Sequence, residues 1–226
     1  MGSEMCIRDS IYTGSLYEIE DGVFKIIAID GYRMAIRSEN VDSESKNRFV
    51  VPGKTQHEVL KLLTDDEENT EIIIGQRHIT FKIKNYRIIS RLIEGTFIEY
   101  KSAIPKETKT EVVINTRTII DAVERMSLLN NDRIQSPVRC IFSDDEIKLS
   151  CTSAVGRAND VISVPIIGES VEIGFNNRYL LDALKNADTD EIKLILNGSL
   201  TAMIVKPVKG DSYLSIVVPM RLANEN

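Results

Sequence analysis

The sequence predicts an α+β fold built from two copies of one architecture, rich in antiparallel hairpins and carrying a few short helices. Two observations support this. Hairpin signatures recur about 120 residues apart, far enough for each copy to be a domain. After each hairpin comes the same ordered set: a short amphipathic helix, an acidic turn and two strands.

The elements follow in order. Residues 16–20, the turn Asp21-Gly22 and residues 23–28 read as a hairpin, because Asp-Gly readily takes the positive φ angles of a tight two-residue turn. Residues 139–142, the turn 143–146 and residues 147–151 repeat the arrangement. Residues 57–63 and 178–184 place apolar side chains at helical spacing. Acidic turns follow at 65–68 and 188–191, then strands at 71–74 and 78–83 in the first copy and at 192–196 and 200–205 in the second. On this reading position 74 corresponds to 196 and position 81 to 203. The later copy has a further helix at 117–129, capped by Asn115 or Thr116, ahead of its first hairpin. The matching helix and strand of the early copy would precede Ile11, so that copy reads as truncated at its amino end. Residues 1–10 show neither period and read as foreign to the fold. The expected divisions are therefore 1–10, 11–104 and 105–226, with the joint near residues 100–107.

Composition narrows the function. The 226 residues suffice for a sizeable core, and 28 Lys and Arg against 34 Asp and Glu give a formal charge of -6. No global field draws such a chain to DNA or to an anionic membrane, so any nucleic-acid contact must be local. Cys6, Cys140 and Cys151 form an odd set without metal or disulfide spacing, which fits a reducing compartment and makes cytoplasm the expected location. No apolar run is long enough to span a bilayer, so no membrane partner is expected.

Catalytic signals are thin. His57 and His78 fall on different predicted elements without metal spacing, and the acidic runs fall in turns. Neither a glycine-rich phosphate loop nor a nucleophile elbow is present, and Cys140 and Cys151 read as core strand residues. With no nucleophile, base and stabiliser to assign, no enzyme and no cofactor are expected.

The chain's end, Val217-Val218-Pro219-Met220-Arg221-Leu222, is an apolar strand that stops at a proline. Pro219 has no amide hydrogen for a ladder, so Met220 and Leu222 need another apolar surface. The residues alone allow two readings: a tail tucked into its own core, or the wall of a peptide groove with Met as an adaptable surface and Arg as an anchor.

Four ordered segments then carry a resemblance: Ala28-Ile-Asp-Gly-Tyr-Arg-Met-Ala35, Ile173-Gly-Phe-Asn-Asn-Arg-Tyr-Leu-Leu-Asp-Ala-Leu184, Lys206-Pro-Val-Lys-Gly-Asp-Ser-Tyr213 and Val218-Pro-Met-Arg-Leu222. Over about residues 11–222 the chain resembles the bacterial beta sliding clamp family, the processivity subunits of the replicative DNA polymerase. The resemblance implies a DNA-clamp fold of duplicated domains, with antiparallel sheets and short helices packed on one face. It also implies a homodimeric ring of six such domains around double-stranded DNA, held topologically and without sequence preference. This chain matches the second domain without its beginning and the whole third domain.

The resemblance implies further that polymerase, clamp-loader and repair proteins insert a short peptide motif into an apolar groove between those two domains. Carried over by position, the groove comprises Tyr12, Ile29, Gly31, Tyr32, Arg33, Met34, Ile98, Ala103, Asn176, Tyr179, Leu200, Ala202, Ile216, Val217, Val218, Pro219, Met220, Arg221 and Leu222. Arg33, Arg221 and Asn176 are the groups expected to fix a peptide's polar atoms. Ile29 stands where Thr is common in the family, Tyr32 where His occurs and Ser102 where some members carry Arg, so a more apolar pocket is expected.

Lys54 and Lys61 on one predicted helix, Arg117 and Arg125 on another, and Arg178 and Lys185 on a third are the expected DNA-facing set. Arg178 and Lys185 share one helix side, whereas Arg117 and Arg125 are offset by roughly 80° around the axis. Leu128 and Leu129 match the family's subunit interface and, without the first domain, are expected to lie exposed or to seek an improper partner. The chain is therefore expected to keep the groove without closing a ring by itself. The alternative from another class is a duplicated β-rich scaffold that binds protein ligands and does not encircle DNA.

Overall fold

The computed structural model describes residues 11–43, 45–64, 69–129 and 136–222. Residues 1–10 with Cys6, and the acidic turn at 65–68, lie outside the described residues. The chain divides into two compact units, one of Met1–Asp30 and Ile36–Glu99, the other of Gly31–Ala35 and Tyr100–Asn226. Both are mostly antiparallel sheet with short helices, as expected for the fold class.

The first unit opens with a 3-10 turn at Ile11–Thr13, followed by β1 (Gly14–Glu20), β2 (Val23–Ile29), β3 (Arg33–Asn40), whose residues 33–35 are counted with the second unit, and β4 (Asn47–Pro52). Their order in the sheet is β3-β2-β1-β4. Asp21 and Gly22 take φ angles of 51° and 72°, and Glu20 pairs with Val23. That is the tight hairpin the dipeptide predicts. Helix α1 (Gly53–Leu62) precedes β5 (Glu71–Ile74), β6 (His78–Ile83) and β7 (Tyr86–Arg91), which form a second sheet in that order. The helix starts at Gly53, ahead of the periodic stretch from His57, and carries both Lys54 and Lys61 as expected.

A small core of Tyr17, Val51, Val59, Ile79, Phe81 and Ile83 fills this unit. The rings of Phe24 and Phe49 lie 5.4 and 5.7 Å from that of Tyr17. Burial pushes the Tyr17 hydroxyl pKa up to about 12, because the phenolate would lose its hydration.

The second unit has a 3-10 turn at Tyr100–Ala103, then β8 (Thr110–Asn115), α2 (Thr116–Ser127), β9 (Val138–Ser143), β10 (Glu146–Ser153), β11 (Gly156–Ser163), β12 (Ile166–Gly168) and β13 (Val171–Phe175). It ends with α3 (Asn177–Lys185), β14 (Glu191–Leu196), β15 (Met203–Pro207) and β16 (Tyr213–Val217). One sheet runs β12-β8-β14-β15-β16 and the other β11-β10-β9-β13. Of the two candidate caps for α2, Asn115 does the capping: its side chain accepts from the Thr118 amide at 3.0 Å. Asp144 and Asp145 turn the β9–β10 hairpin at φ 54° and 56°. Aspartate tolerates this left-handed region better than most residues.

Helix α2 supplies Ile119, Ile120, Ala122, Val123 and Met126 to the core, and α3 supplies Leu180, Ala183 and Leu184. The two helices pack together. Lys185 on α3 reaches Glu124 on α2 at 2.6 Å, and Asn177 donates to Ser127. The Tyr213 hydroxyl donates to the Ala183 carbonyl and ties α3 to β16.

Two details of the repeat are corrected by strand register. Ile73 faces Thr80 and Ile195 faces Ile204, so Phe81 stands at the place of Val205 rather than of residue 203. The connection after β14 is longer, and Leu200 and Ala202 lie in it, outside the strand predicted from 200. Gly198, at φ 99°, turns the chain there.

Cys140 and Cys151 are both buried in this core. Burial raises the Cys140 thiol to about 12, so almost no thiolate exists at neutral pH. Neither thiol is expected to react with a water-soluble alkylating reagent in the native chain, whereas both react in denaturant. Peptide mapping of the alkylated cysteines checks this, and rapid native labelling of Cys140 would contradict its placement.

Candidate functional site

The tail of the chain leaves its sheet at Pro219 and crosses to the other sheet of the second unit. Val217 still pairs with Met203 on β15. Three residues later Met220 makes an isolated bridge with Gly174 on β13, its amide donating to the Gly174 carbonyl at 2.7 Å. Proline ends the first pairing by lacking a donor and by fixing φ. Leu222 then lies directly over Gly174, where an added Cβ would come within 2.6 Å of Leu222 Cδ2 and 2.9 Å of the Met220 carbonyl oxygen. Glycine is required here for the close approach of a second chain segment.

Beside the tail stands a cluster from two other stretches of the same unit. The Val218 amide donates to the Tyr32 carbonyl at 2.9 Å. The Tyr32 ring, largely exposed, stacks on the Tyr179 ring at 5.7 Å between centroids and 22° between planes. The Arg33 guanidinium lies 4.5 Å from the Tyr179 centroid and pairs with Asp182 on α3. Tyr179 and Asp182 sit on one face of α3, three residues apart. Met34 is buried, and Gly31 turns the chain at φ 86°.

Asn176 caps a helix. Its Oδ1 accepts from the Tyr179 amide at 3.2 Å and caps α3. The cap helps fix the start of the helix that carries Tyr179.

Of the other expected groove residues in this unit, Ile216 and Val217 are buried in β16, and Val218 and Arg221 are exposed. Pro219, Met220 and Leu222 are half-buried. Ala103 is exposed at the end of its 3-10 turn, Ala202 is half-buried and Leu200 is almost fully exposed. Tyr12, Ile29 and Ile98 belong to the first unit. There Tyr12 meets Phe97 edge-on at 5.8 Å, Ile29 ends β2 half-buried, and the Ile98 carbonyl accepts from Arg48 at 3.4 Å.

Sequence reasoning missed Asp182 and Gly174 as site residues. The position of Asp182 one helical turn after Tyr179 was a usable signal. A glycine inside β13 was another, since it marks a bulge or a close backbone approach.

The expected basic set is exposed throughout, on α1, α2 and α3. Much of its charge is locally answered. Arg117 pairs with Asp121 at 2.8 Å, Arg125 with Asp160 on β11, Lys185 with Glu124 and Lys61 with Glu58 at 2.9 Å. The Lys61 and Lys185 ammoniums hold the Glu58 and Glu124 carboxyls below their ordinary pKa, by hydrogen bond first and charge second. The expected exposed leucine pair behaves unevenly. Leu128 is 82% exposed, whereas Leu129 packs on its own core. A last turn, with the Leu129 amide on the Met126 carbonyl at 3.3 Å, brings that side chain back.

Two units of one α+β architecture, each with a helix followed by three-stranded antiparallel pairing, make this a DNA-clamp fold. Residues 8–99 match the family described as DNA polymerase III beta subunit, central domain, and residues 101–221 match its C-terminal domain. The chain belongs to the DNA polymerase III beta subunit family, the beta sliding clamps of DNA replication. It is 30% identical over 216 residues to the beta sliding clamp of Bacillus subtilis, spanning 93% of this chain and 57% of that protein's length. The solved Bacillus subtilis DNA polymerase sliding clamp superposes with a TM-score of 0.92 at 28% identity, covering 99% of this chain and 60% of that one. A Pseudomonas aeruginosa sliding clamp solved bound to griselimycin gives 0.89 at 28%, covering 95% and 58%. The chain thus spans little more than half the length of these relatives.

Proposed function

We propose that this chain is the partner-binding portion of a non-catalytic sliding clamp that works in the cytoplasm during DNA replication. Residues 11–104 act as the clamp's middle domain and residues 105–226 as its C-terminal domain. Polymerase, clamp-loader and repair proteins dock a short peptide on the tail and the Tyr32–Tyr179 cluster, and the helix-borne basic residues face duplex DNA without reading its sequence.

One observation carries this reading. The tail is held from both sides, by Tyr32 at Val218 and by Gly174 at Met220, so Met220 and the aromatic stack are presented together on a fixed backbone. Apolar walls with a few placed polar groups are what a peptide anchor needs. The sliding clamp of Pseudomonas aeruginosa bound to griselimycin supports the capacity of the fold to take a ligand. Largely answered basic charge suits loose, non-specific contact with phosphates, since tight contacts would oppose sliding.

The test is titration of a labelled clamp-binding peptide against this chain and against a variant carrying Met220→Ala and Arg221→Ala. The variant is expected to bind at least about tenfold more weakly, a loss of about 1.4 kcal/mol. Equal binding by both removes the groove assignment. In the same preparation, the 226-residue chain is expected not to be retained on circular DNA, since it spans only 57% of the length of the curated relative. Retention on circular but not linear DNA would show instead that it closes a ring.

A further inference from the structure

The crossing made by the tail of the second unit recurs in the first. Ile93, just past the end of β7, makes an isolated bridge with Val50 on β4, its amide donating to the Val50 carbonyl at 3.0 Å. Val50 stands three residues ahead of the first residue of α1, as Gly174 stands three ahead of the first residue of α3. The sizes of the crossing residues are reversed. In the second unit glycine is on the strand and Leu222 of the tail lies over it. In the first unit valine is on the strand, and the tail position matching Leu222 is Gly95, at φ 135°.

The place that Leu222 fills is therefore without a side chain, and a cleft of about 410 Å³ lies between β4, this tail and the turn from β5 to β6. That is within the roughly 300–1,000 Å³ of small-ligand sites. Leu16, Val50 and Phe97, all buried, form its apolar part, and Arg48 and Arg77 its basic part. Glu94 also lines it, with its carboxylate accepting from Arg91 at 3.4 Å.

The two arginines are only loosely answered. Arg48 lies 3.9 Å from Glu18 and 3.8 Å from Glu99, and Arg77 lies 4.0 Å from Glu94. All three separations exceed hydrogen-bonding distance. The Arg48 guanidinium does donate to the Ile98 carbonyl at 3.4 Å, which leaves most donors of both forks to solvent or a ligand.

We infer that this cleft of the first unit is a second ligand site, and that its ligand is the carboxyl end of a peptide with a large apolar last residue. The apolar side chain packs on Leu16, Val50 and Phe97. The α-carboxylate meets the planar forks of Arg48 and Arg77, whose geometry suits a carboxylate. A chain end supplies both features on a single residue, as a small cleft requires; an internal aspartate or glutamate does not. The inference does not rest on peptide docking at the tail of the second unit, so its failure leaves the proposed function standing.

The probe is N-acetyl-leucyl-phenylalanine with a free carboxylate, titrated into the full chain beside its carboxamide and beside phenylbutyrate, with backbone amide resonances as the readout. The free acid is expected to bind saturably and to shift the amides of residues 48–50 and 92–97. The carboxamide is expected to bind at least about tenfold more weakly, because a charge-assisted pair is lost. Arg77→Glu, at a largely exposed position, and Arg48→Gln should each weaken the acid by a similar factor. Absence of a saturable shift at residues 48–50, shifts confined to residues 174–222, or equal binding of acid and carboxamide overturns the inference. So does undiminished binding by both variants. Phenylbutyrate binding as tightly as the free acid overturns the assignment to a chain end, since the cleft would then take any apolar acid. Should Arg48→Gln fail to fold, because the neighbouring Glu18 is buried, Arg77→Glu decides alone.

Discussion

Phe142→Ala is expected to cost about 3–5 kcal/mol, the usual loss for emptying a large aromatic site in a packed core. Phe142 is 2% exposed and faces Ile147 across one strand pair and Val171 across the other. The sheet backbone on both sides resists collapse into the void. With a urea slope of about 2–3 kcal/mol per molar, the unfolding midpoint should fall by roughly 1–2 M. Ile89→Ala, at an exposed position on β7, should change stability by less than about 0.5 kcal/mol. Comparable midpoints for the two variants would mean that Phe142 is not a core residue.

Gly174→Ala should act on the site rather than on the core. The new methyl must displace the Met220 carbonyl or the Leu222 side chain, which lie 2.9 and 2.6 Å from its position. Overpacking of this kind costs about 1–3 kcal/mol, and the strand end can escape it by leaving β13. The expected result is faster amide exchange at Met220 and about tenfold weaker peptide binding, with the melting of the rest of the unit little changed. Titration of the labelled peptide and exchange at Met220 read the two effects separately. Binding as tight as the parent's would show that the bridge to Gly174 does not hold the groove.

Local chemistry was legible in the sequence, and long-range pairing was not. The Asp21-Gly22 turn could be read because two adjacent residues suffice to set its φ angles. Helices α2 and α3 could be read because their apolar spacing is regular. The ion pair of Arg33 with Asp182 joins residues 149 apart, and no local pattern encodes such a meeting. The same holds for Leu222 over Gly174. Leu200 misled in the other direction: its apolar side chain reads as strand, but the Gly198 turn places it outside one. The repeat itself was visible in the order of its elements.

Arg33 has a further consequence. Its guanidinium lies over one ring, 4.5 Å from the centroid, and is matched to one carboxylate. A ligand arriving beside it meets a neutral, aromatic surface rather than a free positive charge. Contacts there are weakly screened by salt, because little net charge remains to screen. If the proposed peptide docks here, its choice of anchor depends more on which side chain can pack against tyrosine than on that side chain's charge.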